Sequence, residues 1–164
     1  MSQPNKLSRI VGAMNRLPSF ARKRALSTFF GRMVPYTGTT GIRVEVLEPG
    51  RCIISLPNKK RVQNHIGSVH AIASMLIAES ATGFLVGLNL PDSRVPVIKT
   101  VNGEFVKRAA KGEMRVVAHL TPKQIELIRS SEKGETTVPV ELHDSDGREP
   151  IIITMVWAWT PKNR

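Results

Sequence analysis

The sequence predicts an α+β fold in which one long apolar helix packs against a curved antiparallel β-sheet, with shorter helices ahead of it. Three observations carry that expectation. From Gly41 onward apolar residues recur at every second position, as in strands with one covered face. Residues 65–89 then form a run that is apolar on most sides, which marks a helix covered by other elements. After it the period returns to two in successive segments divided by turn residues, so strands follow one another rather than alternating with helices. At 164 residues the chain fits one domain, long enough to bury about two thirds of its unfolded surface without disulfides or metals.

In chain order, Leu7, Ile10, Val11, Met14 and Leu17 recur at helical spacing among Lys6, Arg9 and Arg16 until Pro18. A second helix is expected from Ser19, with Phe20, Leu26, Phe29 and Phe30 set against Arg22, Lys23, Arg24 and Arg32. This Arg-rich, acid-free segment, residues 1–33, is similar in composition to a mitochondrial transit peptide. Its apolar stripe nevertheless runs straight into Met33-Val34-Pro35, which favours two helices packed on a domain spanning 34–164. Ile42, Val44 and Val46 alternate with Arg43 and Glu45, and Glu48-Pro-Gly-Arg51 turns the chain into Cys52–Leu56, a β-hairpin. Asn58–Arg61 is a polar loop, residues 65–89 are the long helix, and Pro91-Asp-Ser93 ends it. Strands are expected at Val95–Val106, interrupted at Asn102-Gly103, and at Glu113–Leu120, Thr136–His143 and Ile151–Thr160, as an antiparallel meander. Thr121-Pro122 opens a short helix with a Thr cap and Pro at its first position, and Asp144-Ser-Asp-Gly147 is a hairpin turn.

Composition narrows the function. The net charge of +11 is uneven: residues 1–43 hold eight Lys or Arg and no acid, so everything after them carries only +3. Such asymmetry suits an anionic partner, whether nucleic acid, membrane surface or phosphate-bearing cofactor. Nucleic acid is disfavoured, since there is no zinc-finger spacing or ribonucleoprotein motif and only eight aromatic residues are available to stack bases. Peripheral membrane contact through the basic segment stays open. One cysteine, Cys52, cannot form an internal disulfide, which fits a reducing cytoplasmic location. The longest apolar run is broken by Glu79 and diluted by small and polar residues, so no membrane-spanning helix is expected. His65, His119 and His143 lack partners at metal-ligand spacing, so no metal is expected, and no Gly-x-Ser-x-Gly elbow is present. Trp157 and Trp159 share one face of the last strand and are read as core.

The most informative residue is Glu79, the only charged side chain among the 25 residues from Ile66 to Leu90. An ionised carboxylate in an apolar helix has either a partner or a task. At the helix entrance the sequence reads Asn64-His-Ile-Gly67-Ser68-Val-His70-Ala71-Ile72, with Glu79 nine residues beyond His70. Nine helical residues advance about 900° and about 13.5 Å, so His70 and Glu79 face opposite ways. Two antiparallel copies of the helix would bring the start of one beside the middle of the other, which predicts a two-fold homodimer, or a dimer of dimers, with composite sites.

These residues resemble the hotdog-fold thioesterases, in particular the branch related to phenylacetyl-CoA thioesterase. That branch carries Asn, two residues, Gly, Ser or Thr, one residue, His-Gly-Gly, and an acid nine residues after the His. Asn64, Gly67, Ser68, His70 and Glu79 match, while Ala71 and Ile72 replace the two glycines. Phe105–Gly112 resembles the family's strand end that carries a Gly before the next strand begins. The resemblance covers roughly residues 34–160. It implies hydrolysis of an acyl-CoA thioester, with Glu79 as nucleophile or general base and the Ala71 backbone N–H as oxyanion donor; coenzyme A is part of the substrate, and no separate cofactor is expected.

Asn64 can orient the thioester or a water, and His70 positions the entrance loop. Thr82 stands in for the hydroxyl that related sites place one turn after the carboxylate. Lys59, Lys60 and Arg61, or Lys107, Arg108 and Lys111, are the candidates for the coenzyme A phosphates. A non-catalytic acyl-CoA or lipid-binding protein on the same fold is the alternative. Hydratase chemistry is disfavoured, because no catalytic His element precedes the helix.

Overall fold

A computed structural model describes residues 5–162; residues 1–4 of the basic segment lie outside them. The elements are α1 (Lys6–Met14), α2 (Ser19–Met33), α3 (Pro35–Thr40), β1 (Arg43–Glu48), β2 (Arg51–Leu56), a 3₁₀ turn (Lys60–Val62), α4 (Ala71–Asn89), β3 (Arg94–Phe105), β4 (Met114–His119), α5 (Pro122–Ser130), β5 (Gly134–Val138), β6 (Val140–His143) and β7 (Ile151–Pro161). The strands form two antiparallel ladders, β1-β2-β4-β6 and β3-β7-β5. Strands of both ladders and helices α1, α3 and α5 contact α4, so the long helix is enclosed as its apolarity required. By length and composition alone α4 could cross a membrane, with mean hydropathy 1.7 over its most apolar window, contrary to expectation. In this fold that surface is the core: Ile77, Ala78, Ala81 and Leu85 are fully buried.

Four expectations need correction. The long helix begins at Ala71 rather than near residue 65, because residues 64–70 form a tight loop that His70 ends as the helix cap. The strand β3 is continuous through Asn102 and Gly103, which pair with Thr154 and Ile153. Gly103 answers a close approach there, since a Cβ would lie 2.5 Å from Met75 Sδ. The expected strand at Thr136–His143 is two strands broken at Pro139, which has no N–H to donate. Its carbonyl accepts from His119 N–H at 3.0 Å. Here the chain leaves the β7 ladder and joins β4, so this crossing connects the two ladders. Because β3 leaves β2 for the other ladder, the order is not a simple meander.

The basic N-terminal helices pack on the domain. Leu26 and Phe30 of α2 are fully buried, and the Phe30 ring lies 4.1 Å from that of Phe84 on α4. Asn5 caps α1 through Ser8 N–H, and its amide also donates to the Gly87 and Leu90 carbonyls at the end of α4. The expected cap of α5 is present as a reciprocal Thr121–Gln124 capping box. Trp157 and Trp159 are core residues, as expected. Cys52 is fully buried, and burial pushes its thiol well above the ordinary range.

Candidate active site

Two clefts lie along α4. The first, of about 160 Å³, opens at the start of the helix between Asn64, Ser68, Ala71, Lys107 and Arg108. The second, of about 380 Å³, runs beside Glu79 on the other side. From Ala71 to Glu79 the helix rises about 12 Å, so one chain keeps the two halves of the expected site apart.

The entrance loop is held by its own side chains. Asn64 Oδ1 accepts from the N–H groups of Ile66 and Ser68, each at 3.1 Å. Its acceptor is therefore occupied, and only the amide N–H₂ remains to meet a substrate. Gly67 adopts φ +77°, the left-handed region that favours glycine, and its carbonyl accepts from Asn58 Nδ2. Its role is the turn. His70 Nδ1 accepts from Ile72 N–H at 3.1 Å and caps the helix, which is a positioning role. Among the described residues nothing accepts from Ala71 N–H, as befits the first residue of a helix. Ala71 has helical geometry, so its Cβ brings no backbone penalty. Ser68 is buried, lines the cleft, and its hydroxyl has no hydrogen-bond partner among the described residues. Arg22, Ser55 and Asn58 also hold a buried polar atom without a partner among the described residues, but of the four only Ser68 lines this cleft.

Of the two basic clusters, only Lys107 and Arg108 reach a cleft. Lys111 lies outside its lining, and its carbonyl accepts from Asn58 Nδ2 at 2.9 Å. Lys59, Lys60 and Arg61 line neither cleft, and Arg61 Nε donates to the Thr40 carbonyl at the end of α3.

Glu79 is half-buried on the wall of the larger cleft. Burial pushes its carboxyl above the ordinary Glu range, opposed by a hydrogen bond from Ser80 Oγ at 3.4 Å. Among the described residues it has no ion-pair partner. Thr82 does not take the part expected of it: it is fully buried, donates back to the Ala78 carbonyl, and accepts from Trp157 Nε1 at 2.9 Å. The hydroxyl beside the carboxylate is that of Ser80, which also lies 3.2 Å from Thr37 Oγ1. The sequence offers Ser80 as well as Thr82 near the position one turn after Glu79, which is Gly83, and it is Ser80 that reaches the carboxylate. Asn5, Leu7 and Met33 close the cleft from the N-terminal helices; Leu7 and Met33 belong to the apolar stripe read from the sequence, whereas nothing in it pointed to Asn5.

His143, set aside on spacing, comes together with Glu141 and Glu149, their ligand atoms within 4.8 Å of one another. Glu149 arrives through the chain reversal at Asp144–Arg148 and not through sequence spacing. Both carboxylates are exposed, and His143 Nε2 lies 3.3 Å from Glu141.

Residues 22–159 match the family model DUF4442, a domain of unknown function. The chain belongs to the DUF4442 family. No curated protein matches it. Among solved structures it is similar to a Pseudomonas aeruginosa protein of unknown function described as a probable thioesterase, with 28% identity, 89% of this chain and 97% of that one covered, and TM-score 0.74. It is also similar in fold to a thioesterase from Haemophilus influenzae, at 12% identity and TM-score 0.63 over 77% and 82% of the two chains. A thioesterase family protein from Silicibacter pomeroyi aligns at 17% identity and TM-score 0.64 over 83% and 96%. The fold of this DUF4442 member is the hotdog fold.

Proposed function

We propose that this DUF4442 protein hydrolyses an acyl-CoA thioester at two equivalent sites, each composed across a homodimer. The observation that carries the reading is the division of labour between the clefts. One holds a carboxylate with a raised pKa and no ion-pair partner among the described residues, the Arg94 and Lys162 of its lining being bonded to the Ile128 and Asp92 carbonyls. The other holds a helix N-terminus with an uncommitted N–H, an unpartnered buried hydroxyl and two cations, but no carboxylate. Antiparallel apposition of two α4 helices would unite them. Strand β3 supports such a partner: it is an outer strand of twelve residues, with Val95, Val97, Val101 and Phe105 exposed. A long apolar edge is a template for pairing with another chain.

In the composite site the thioester oxygen would receive the Ala71 N–H and the Ser68 hydroxyl, donors that strengthen as it becomes an oxyanion. The Asn64 amide would orient the acyl carbonyl, and Lys107 and Arg108 would meet the coenzyme A phosphates. Glu79 of the other subunit either attacks the carbonyl, expelling the thiol and leaving an anhydride that water hydrolyses, or removes a proton from the attacking water. Both routes require the ionised carboxylate, so kcat/KM should rise with pH through a value above the ordinary Glu pKa of about 4.3.

The test is thiol release from acyl-CoAs by wild type and Glu79→Gln, read together with melting temperature. Release should vanish in the variant. The sign of the stability change is equally informative. A raised carboxyl pKa stabilises the fold below the unfolded value and loses that stabilisation as pH rises through the folded value. At neutral pH the variant should therefore melt at or above the wild type. A lower melting temperature with unchanged thiol release would overturn the assignment in favour of an ion pair at a subunit interface. One observation favours the alternative of acyl-CoA binding without turnover: His70 already occupies the Ile72 N–H, a second candidate oxyanion donor. Thermal stabilisation by acyl-CoA without thiol release would identify that case.

The basic N-terminal helices suit peripheral contact with an anionic membrane. Phe20 is 78% exposed at the elbow between α1 and α2, near exposed Leu17, Arg16, Lys23 and Arg24. Apolar side chains in a cationic setting are what interfacial binding uses.

A further inference from the structure

We propose that the cleft beside Glu79 takes the tail of a saturated, unbranched acyl group of about twelve to fourteen carbons, and that Gly87 and Leu7 set that length. The proposal rests on the thioester reading of Glu79 and adds the substrate class.

The cleft follows α4 from Glu79 through Gly83 and Gly87 to Leu90. Eleven helical residues span about 16.5 Å. Carbon–carbon bonds of about 1.52 Å at about 111° advance about 1.25 Å per carbon, so an extended chain filling that length has about thirteen carbons. Phe84, Trp157, Leu7 and Met33 supply apolar walls.

The far end is built and pinned. The Asn5 amide ties the start of α1 to the last carbonyls of α4, and Asp92 accepts from Lys6 N–H at 3.1 Å. The two cations there are engaged by backbone oxygens: Arg94 donates to the Ile128 carbonyl at 3.2 Å and Lys162 to that of Asp92 at 2.7 Å. Asp92 lines the same end, so a second carboxylate would meet a like charge there, whereas a methyl terminus would not. Gly87 lies about 12 Å along the helix from Glu79, and a Cβ there would stand 3.7 Å from Leu7 Cδ2. Any larger side chain at Gly87 must enter the cleft or displace Leu7. Asn5 and Leu7 precede residues 22–159, the part matched by the family model, whereas Met33 lies within it.

The experiment measures kcat/KM for straight-chain acyl-CoAs from four to eighteen carbons, with one ω-carboxylated substrate of fourteen, on wild type, Gly87→Leu and Leu7→Trp. The wild type should be fastest at twelve to fourteen carbons and should discriminate against the ω-carboxylate. Each buried methylene is worth about a fourfold preference. The fourteen-to-eight-carbon ratio should therefore fall at least tenfold in both variants, and Leu7→Trp keeps the test decisive if Gly87→Leu fails to fold. A flat profile, an optimum below eight carbons, or an equal loss at every length in a folded variant would overturn the proposal. If no thioester is hydrolysed, the thioesterase reading fails by itself. Calorimetric binding of S-alkyl-CoA thioethers then reads the length separately: an optimum at twelve to fourteen carbons supports the cleft assignment, and a flat series or no binding overturns it.

Discussion

Asp144 is the point at which stability and the candidate site are coupled. Its side chain is fully buried at the end of β6. The carboxylate accepts from the N–H groups of Asp146 at 2.9 Å and of Arg148 and Ala110 at 3.0 Å, and from the Arg148 guanidinium at 3.0 Å. Burial alone would raise its pKa, but these donors prevail and hold the carboxyl down to about 2. The difference from the reference value of 3.8 corresponds to about 2 kcal/mol at about 1.4 kcal/mol per unit. Arg148 is about half exposed, so solvent screening reduces this to about 1–2 kcal/mol. Asp144→Asn, which keeps an acceptor and loses the charge, should cost that amount; Asp144→Ala, which strands several donors, should cost about 3 kcal/mol. Urea unfolding checks both through the midpoint at unchanged slope. Because the folded pKa is depressed, the charge contribution is present above the unfolded pKa and lost as pH falls through about 2. The wild-type advantage over Asp144→Asn should thus close in acid. Equal stability at neutral pH, or a gap that persists at the acid end, would refute the reasoning. The Ala110 bond anchors the loop carrying Lys107 and Arg108, so Asp144→Ala should also raise KM for acyl-CoA more than it lowers kcat.

Two glycines one helical turn apart should respond oppositely to alanine. Gly83→Ala places a Cβ 2.6 Å from the Trp157 ring and should destabilise by about 1–3 kcal/mol, whereas Gly87→Ala, with room for its Cβ, should gain up to about 1 kcal/mol of helix propensity; thermal melts distinguish them. Thr82→Val leaves the Trp157 indole N–H unpaired and should cost about 1–3 kcal/mol in urea unfolding, without the complete loss of thiol release expected of Glu79→Gln. Glu79→Ala mixed with Asn64→Ala should recover about a quarter of wild-type activity, since half the dimers are then mixed and each carries one intact composite site. No recovery after confirmed subunit exchange would count against the shared site. Co-sedimentation with anionic vesicles should weaken severalfold in Phe20→Ser, because interfacial binding scales with buried apolar area.

Much of this was legible before any coordinates. The hairpin at Glu48-Pro-Gly-Arg51, the capped helix at Thr121-Pro122 and the long helix around Glu79 are written in period, turn chemistry and capping, which are local. The isolated carboxylate and the Asn64-to-Ala71 entrance were legible as well, since a charge in an apolar helix contradicts its neighbours. Other features depended on distant partners. A proline at 139 reads as a strand defect until β4 and β7 stand on either side of it. Gly103 reads as a turn until Met75 packs on it, and Thr82 reads as a free hydroxyl until Trp157 claims it.

The sequence by itself determined an enclosed apolar helix, a strand-rich sheet around it, and one carboxylate whose burial needs a purpose, because helical and strand periodicity and charge are properties of neighbouring residues. Only the tertiary structure decided that Glu79 and Ala71 open into separate clefts, that Lys107 and Arg108 rather than Lys59–Arg61 reach one of them, and that the N-terminal helices close the other. Those outcomes depend on which surfaces meet across long sequence separations. No local pattern encodes the distance from Asn5 to the end of α4.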